Sequence, residues 1–284
     1  MSHSIAIIGP GLLGASIALA VRRTGSARVA IWARRPQIVE EVRAREIADV
    51  VSDDLDVVLA GADTVVLCVP VGAMPALARE IVKSISPGAL VTDVGSVKAG
   101  VVAELAPIFE KRGRFIGSHP MAGSDRAGHT FASAELFDRR VCILTPDSAT
   151  RPDALADATT FWKMLGCTVR TLAPAEHDEV VALVSHLPHL LAAALVNTVA
   201  AKNSAAFAFH GPGFFDTTRV AAGQPDLWAE ILRTNSVAVR AGVEAMIEKL
   251  REITTLLDRE EPMKEFLNQA KTLRDALRPM NADV

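Results

Sequence analysis

Ile5-Ala6-Ile7-Ile8-Gly9-Pro10-Gly11-Leu12-Leu13-Gly14 decides the reading of the whole chain. A β-branched run enters Gly-x-Gly-x-x-Gly, and an apolar helical stretch over 12–21 leaves it. Strand, tight turn and helix, in that order, are what a dinucleotide-binding turn requires. Gly9 permits the turn. A side chain at Gly11 would intrude on a pyrophosphate. Gly14 lets the helix pack closely on the strand. The open N–H groups and positive dipole end of that helix then receive the phosphates. Leu12 and Leu13 in the turn, with Val69 and Pro70 at the end of a later strand, are assigned to the same cofactor site.

Around this turn lie 284 residues, half of them hydrophobic, enough for one large or two moderate domains. Thirty Lys and Arg against 33 Asp and Glu leave a net charge of −3, which gives no electrostatic case for nucleic acid or an anionic membrane. Cys68, Cys142 and Cys167 have no ligand-like spacing and read as buried, reduced thiols of a cytoplasmic protein. The first residues enter a strand at once, so no signal peptide is expected. No unbroken apolar run is expected to be long enough to span a bilayer.

Up to residue 173 short β-rich runs (5–8, 28–33, 64–69, 90–94, 115–118, 141–145, 168–172) alternate with helical patterns such as 74–83, 97–111 and 151–165. That rhythm predicts an α/β, doubly wound, Rossmann-like sheet with helices on both faces. Beyond Pro174 no strand is expected, and 176–201, 227–257 and 262–277 read as helices. The chain therefore divides into a dinucleotide-binding domain, 1–173, and an all-helical domain, 174–284, expected to bind substrate and to form a dimer. Ligands should lie beyond the carboxyl ends of the strands.

The second strand reveals which cofactor to expect. NAD enzymes of this type place Asp or Glu at its end, about 20 residues past the glycines, to hold the ribose 2′-hydroxyl. Here it ends Ile31-Trp32-Ala33-Arg34-Arg35. No carboxylate repels a 2′-phosphate, and Arg34 and Arg35 can pair with one, so NADP is expected, with NAD the alternative. A solvated basic loop would also accommodate Arg-Arg-Pro.

Four further segments carry polar groups at places such a sheet exposes. In Asp93-Val94-Gly95-Ser96-Val97-Lys98, Ser96 taken alone reads as a helix N-cap. His119, in Gly117-Ser118-His119-Pro120-Met121-Ala122-Gly123-Ser124-Asp125, should stand at the carboxyl edge of the sheet, where structural and functional roles are equally open. In Ser185-His186-Leu187-Pro188-His189, Ser185 and His189 share a helical face, and Pro188 frees the carbonyl of Val184, so a kink is expected. The two histidines offer no third metal ligand nearby, and no metal is expected. Arg219 follows Gly211-Pro212-Gly213-Phe214-Phe215-Asp216-Thr217-Thr218 among small and apolar residues and requires an anion: Asp216 locally, or a substrate carboxylate.

Taken together, these motifs resemble the prephenate and arogenate dehydrogenases of tyrosine biosynthesis over nearly the full length. Gly-x-Gly-Leu-Leu-Gly-x-Ser, Asp-Val-Gly-Ser-Val-Lys, Ser-His-Pro-Met-Ala-Gly, Ser-His-Leu-Pro-His and Asp-x-Thr-Arg-Val-Ala occur in the family's order. The resemblance implies oxidative decarboxylation of a cyclohexadienol carrying a ring carboxylate and a 4-hydroxyl. His119 and Ser96 are then catalytic: His119 takes the hydroxyl proton or its hydrogen bond, and Ser96 orients both. Arg219 pairs with a substrate carboxylate, and Ser185, His186 and His189 line the site, with Ser124 and Asp125 at the substrate. Asp125, where relatives often carry Glu, and Phe215, where many carry Arg, leave prephenate and arogenate as alternatives. No chorismate mutase segment and no regulatory domain are expected, and a cytoplasmic homodimer is.

Two rival readings remain. A β-hydroxyacid dehydrogenase or imine reductase has the same architecture, but Lys202 lacks the glycines that flank the catalytic lysine of the hydroxyacid enzymes. A redox-sensing module would bind NADP without turnover, and would leave Ser96, His119 and Arg219 no joint task.

Overall fold

The computed structural model describes residues 3–123 and 126–277. Eight strands form one sheet: β1 (His3–Ile8), β2 (Ala27–Trp32), β3 (Val50–Ser52), β4 (Thr64–Leu67), β5 (Ala89–Asp93), β6 (Gly113–Pro120), β7 (Val141–Thr145) and β8 (Thr168–Thr171). Their order is β3-β2-β1-β4-β5-β6-β7-β8, and only β6 and β7 pair antiparallel. Strand order reverses between β1 and β4, which places the ligand crevice of such a sheet at their carboxyl ends.

The helices of the first half are α1 (Leu12–Thr24), α2 (Pro36–Arg43), α3 (Leu55–Leu59), α4 (Met74–Ser84), α5 (Ala99–Phe109) and α6 (Pro152–Met164). Alternate strand residues serve opposite faces. Ile5, Ile7, Val29 and Ile31 join the core under α1, α2 and α6, whereas Ala6, Ile8, Ala30 and Trp32 join that under α3, α4 and α5. Both faces are covered, so these strands read as continuous apolar runs rather than as polar–apolar alternation.

In the second half lie α7 (Pro174–Val181), α8 (Leu187–Asn203), α9 (Pro212–Thr218), α10 (Pro225–Thr234), α11 (Ser236–Leu256) and α12 (Glu260–Ala276). The chain forms two compact units. One runs to Asp178 and includes Ala222–Thr234; the other holds Glu179–Ala221 and the residues from Asn235 onward.

Four expectations need correction. First, β3 was not expected, because three residues at a sheet edge carry no period to read. Second, the helix expected over 227–257 is two helices, broken at Asn235, where the backbone leaves the helical region (φ −103°, ψ 28°) and the buried side-chain amide bonds to His186. Its first part, α10, belongs to the sheet-bearing unit, where Ile231 enters the core under α3, α4 and α5. Third, β6 extends through His119 to Pro120, so His119 lies inside a strand rather than after one. The extension comes from β7, which pairs His119 with Ile143. Fourth, the helical stretch Pro174–Phe209 is long and apolar enough, by length and composition, to cross a membrane. A helix that packs within a helical domain or against a second copy has the same composition.

Candidate active site

The glycine turn is shaped by contacts between backbones. Gly9 has φ +111°, its N–H donates to the Trp32 carbonyl at 3.0 Å, and a Cβ there would stand 2.5 Å from the Cys68 carbonyl oxygen. Val69 lies against the same position, its Cγ1 3.0 Å from where that Cβ would be. A Cβ on Gly14 would overlap the Gly9 carbonyl oxygen. Gly11 faces open space: among the described residues nothing stands within 4 Å of its missing Cβ. It also starts α1 with no side-chain cap and no acidic residue in the first turn. Open N–H groups, an unobstructed approach and an uncontested positive helix end suit a pyrophosphate, so these residues fit a dinucleotide. Leu12 and Leu13 are half-buried beside the opening, and Pro70 is exposed. Arg34 and Arg35 are exposed just past β2, and neither makes an ion pair with another described residue.

The ends of β5 and β6 are tied together by buried polar groups. Asp93 is fully buried, accepts from the Gly95 N–H at 2.8 Å and the Ser118 N–H at 3.0 Å, and pairs with the buried ammonium of Lys98. Thr92 Oγ1 donates to the Ile116 carbonyl at 2.8 Å and meets the Ser118 hydroxyl at 2.9 Å. A buried carboxylate so held fixes the loop from Val94 to Lys98, which carries Ser96, against the strand that carries His119.

Ser96 is half-buried in that loop, and it does not cap a helix. Helix α5 begins at Ala99, three residues on, with Lys98 at its N-cap. The capping oxygens come from afar: Asp178 accepts from the N–H groups of Lys98 at 2.7 Å and Ala99 at 2.9 Å. A carboxylate on an open helix start satisfies the same donors that a local serine would.

His119 is 8% exposed, and its Nδ1 lies 2.9 Å from Nε2 of His177, a residue 58 positions later. His177 is fully buried, and its Nδ1 lies 2.8 Å from Asp178 Oδ1. Burial pushes the Asp178 carboxyl up, but the bonds from His177 and from the Ala99 and Lys98 N–H groups outweigh it and hold the group below its ordinary range. Nothing in the sequence singles out His177 and Asp178. Glu176-His177-Asp178-Glu179 looks like the solvated start of a helix, and nothing local shows that its middle two residues are buried.

The other unit gathers the second group. Pro188 lacks the N–H that would bond Val184, and the helix absorbs this as a π-helical turn over Ala182–His186, closed by the Leu187 N–H on the Ala182 carbonyl. The expected kink is thus a widened turn, with half-buried Ser185 at its end. His186 is buried, and its Nδ1 accepts from the Asn235 amide at 3.2 Å. His189 is buried three residues on, and burial lowers its pKa against an opposing bond to the Val220 backbone. That bond sets the segment carrying Arg219 beside α8. Arg219 is exposed, and among the described residues it makes no ion pair with Asp216, its local candidate partner. Ser124 and Asp125 lie outside the described residues.

Residues 17–171 match the family model described as prephenate dehydrogenase, nucleotide-binding domain, and residues 173–278 match prephenate dehydrogenase, dimerization domain. A cyclohexadienyl dehydrogenase of Zymomonas mobilis is 33% identical over 89% of this chain and 88% of its own length. The crystal structure of prephenate dehydrogenase from Aquifex aeolicus, in complex with hydroxyphenyl propionate and NAD+, superposes with a TM-score of 0.90 at 31% identity, covering 96% of this chain and 98% of that one. Synechocystis arogenate dehydrogenase superposes with a TM-score of 0.83 at 31% identity, covering 96% of this chain and 99% of that one.

Proposed function

This chain belongs to the prephenate dehydrogenase family, and from that premise we propose that it converts prephenate to 4-hydroxyphenylpyruvate with NADP as oxidant. The family makes it a nicotinamide-dependent oxidoreductase of tyrosine biosynthesis. The observation that carries the finer reading is His119, nearly buried at the carboxyl end of β6 and hydrogen-bonded through one ring nitrogen to His177.

The reaction removes a hydride from C4 of the substrate ring, a proton from its 4-hydroxyl and CO2 from C1. NADP, when bound, takes the hydride. His119 takes the hydroxyl proton as C4 becomes a carbonyl, and returns it to the phenolate oxygen once the ring has aromatised. The electron pair of the departing carboxylate stays in the ring. Neutral imidazole suits this exchange, because its ordinary pKa is close to neutrality. Ser96 orients the hydroxyl and His119. Arg219 receives a substrate carboxylate, its lack of a local ion pair supporting that use. Ser185, His186 and His189 are assigned to substrate binding, as are Ser124 and Asp125. Gly9, Gly11, Leu12, Leu13, Gly14, Val69 and Pro70 would hold the cofactor.

NADP is favoured because Arg34 and Arg35 stand exposed where an NAD enzyme would present a carboxylate. The Aquifex relative was crystallised with NAD+, so the preference rests on these two residues alone. We place substrate binding and dimerisation in 174–284. The match to a dimerization domain and the exposed Leu183, Val184, Val237 and Leu250 support a homodimer. A cytoplasmic enzyme suits the biosynthetic family. The test is nicotinamide reduction with prephenate and with arogenate, each with NADP and with NAD. Fastest turnover is expected with prephenate and NADP. Turnover of arogenate alone would make this the arogenate enzyme, and turnover of neither would overturn the reading.

A further inference from the structure

We infer that His177 and Asp178 are a positioning pair that sets the tautomer of His119, keeping a proton on Nδ1 and the lone pair on Nε2. The inference deepens the proposed role of His119 and rests on that reading. The chain of hydrogen bonds runs in one direction. Asp178 accepts on both oxygens: Oδ1 from the Lys98 N–H at 2.7 Å and from His177 Nδ1 at 2.8 Å, Oδ2 from the Ala99 N–H at 2.9 Å. An ionised carboxylate only accepts, so His177 Nδ1 carries a proton. With one ring proton on His177, held at Nδ1, the lone pair is on Nε2. That atom lies 2.9 Å from His119 Nδ1, which must be the donor. Nε2 of His119 is left as the acceptor and can take the proton of a substrate hydroxyl.

The same chain assists the charged state of His119. Once Nε2 is protonated, the imidazolium still donates through Nδ1 to His177, and beyond it stands the Asp178 carboxylate. An imidazole backed by a bare hydrophobic contact would have neither a fixed tautomer nor this support. Asp178 is itself fixed by α5, whose first N–H groups it caps, so the tautomer is tied to the helix that follows the Ser96 loop.

A role confined to filling space and capping α5 would not fix a ring proton. The first test is therefore 15N NMR of the histidine rings in the whole protein at neutral pH, with the His119 signals assigned by their loss in His119→Asn. Protonated Nδ1 and unprotonated Nε2 are expected at His119. A proton on Nε2 of His119, or protons on both nitrogens of His177, would overturn the inference.

The second test is kinetic. In His177→Gln the amide oxygen can accept from His119 and the amide NH2 can donate to Asp178, so kcat should remain within about 10-fold of wild type. In His177→Leu the acceptor is gone, and kcat should fall by about 10- to 100-fold, with the KM for prephenate and the Kd for NADP unchanged. Undiminished kcat in His177→Leu, or an equal fall in folded His177→Gln, would overturn the inference. If His177→Leu does not fold, the wild-type spectrum decides. Failure of the underlying reading shows separately, as an inactive wild type or an active His119→Asn, because neither moves the ring proton in the wild-type spectrum.

Discussion

The ends of β1 and β6 are both places where the chain leaves the sheet, yet they are built in opposite ways. At β1 the turn is made of absent side chains: Gly9 and Gly14 let backbone approach backbone, Gly11 leaves open space, and all three lie within six residues. At β6 the work is done by side chains that arrive from elsewhere, with Asp93 25 positions before Ser118, and His177 58 positions after His119. The difference shows what a single sequence discloses. A device made by local geometry leaves a local pattern, whereas one made by distant partners leaves only isolated polar residues.

The sharpest way to break the contrast lies within the glycine turn. Gly14→Ala should lose dinucleotide affinity and also destabilise the fold, by about 1–3 kcal/mol or more, because its Cβ meets the Gly9 backbone, which cannot swing aside. Gly11→Ala should unfold within about 0.5 kcal/mol of wild type and lose affinity alone, since among the described residues nothing stands within 4 Å of its Cβ. Chemical unfolding and NADP titration separate the two. Equal stability losses would show that the opening at Gly11 is not reserved for a ligand.

Arg219→Ala asks the same question of a side chain. Loss of a charge-assisted bond to a substrate carboxylate should raise the KM for prephenate by about 10- to 100-fold with little change in the Kd for NADP. An unchanged KM would make Arg219 structural. Ala33→Asp with Arg34→Ala should shift the NADP-to-NAD preference by about 10-fold or more toward NAD. A variant that still prefers NADP would place 2′-phosphate recognition elsewhere.

The smallest effect concerns acid. Asp178 has a folded pKa below its ordinary value, so its contribution to stability is present above the ordinary value and is lost as pH falls through the folded one. The excess stability of wild type over Asp178→Asn should therefore be constant near neutrality and shrink below about pH 4. A difference that does not shrink would mean the carboxylate is not held ionised by its partners.

Much of the fold was legible, because buried parallel strands and amphipathic helices repeat at periods visible within ten or so residues. What escaped had no period. β3 is three residues long, and the break falls at Asn235, whose side chain bonds His186, 49 positions away. Pro188 announced a disturbance, but the π turn that absorbs it is a choice made by packing. For the candidate site, motif order put forward Ser96, His119 and Arg219. The cap on α5 misled, because the local serine is spare and a remote carboxylate takes the task. His177 and Asp178 were invisible for the same reason: only folding shows that two polar residues at a helix start are buried.

The central claim is that His119 exchanges the proton that accompanies hydride loss, and one comparison tests it most directly: NADPH formation from prephenate by wild type and by His119→Asn, with NADP affinity measured on both. The account predicts a kcat about 10²- to 10⁴-fold lower in the variant at an unchanged Kd for NADP. Near-normal turnover by His119→Asn would contradict it.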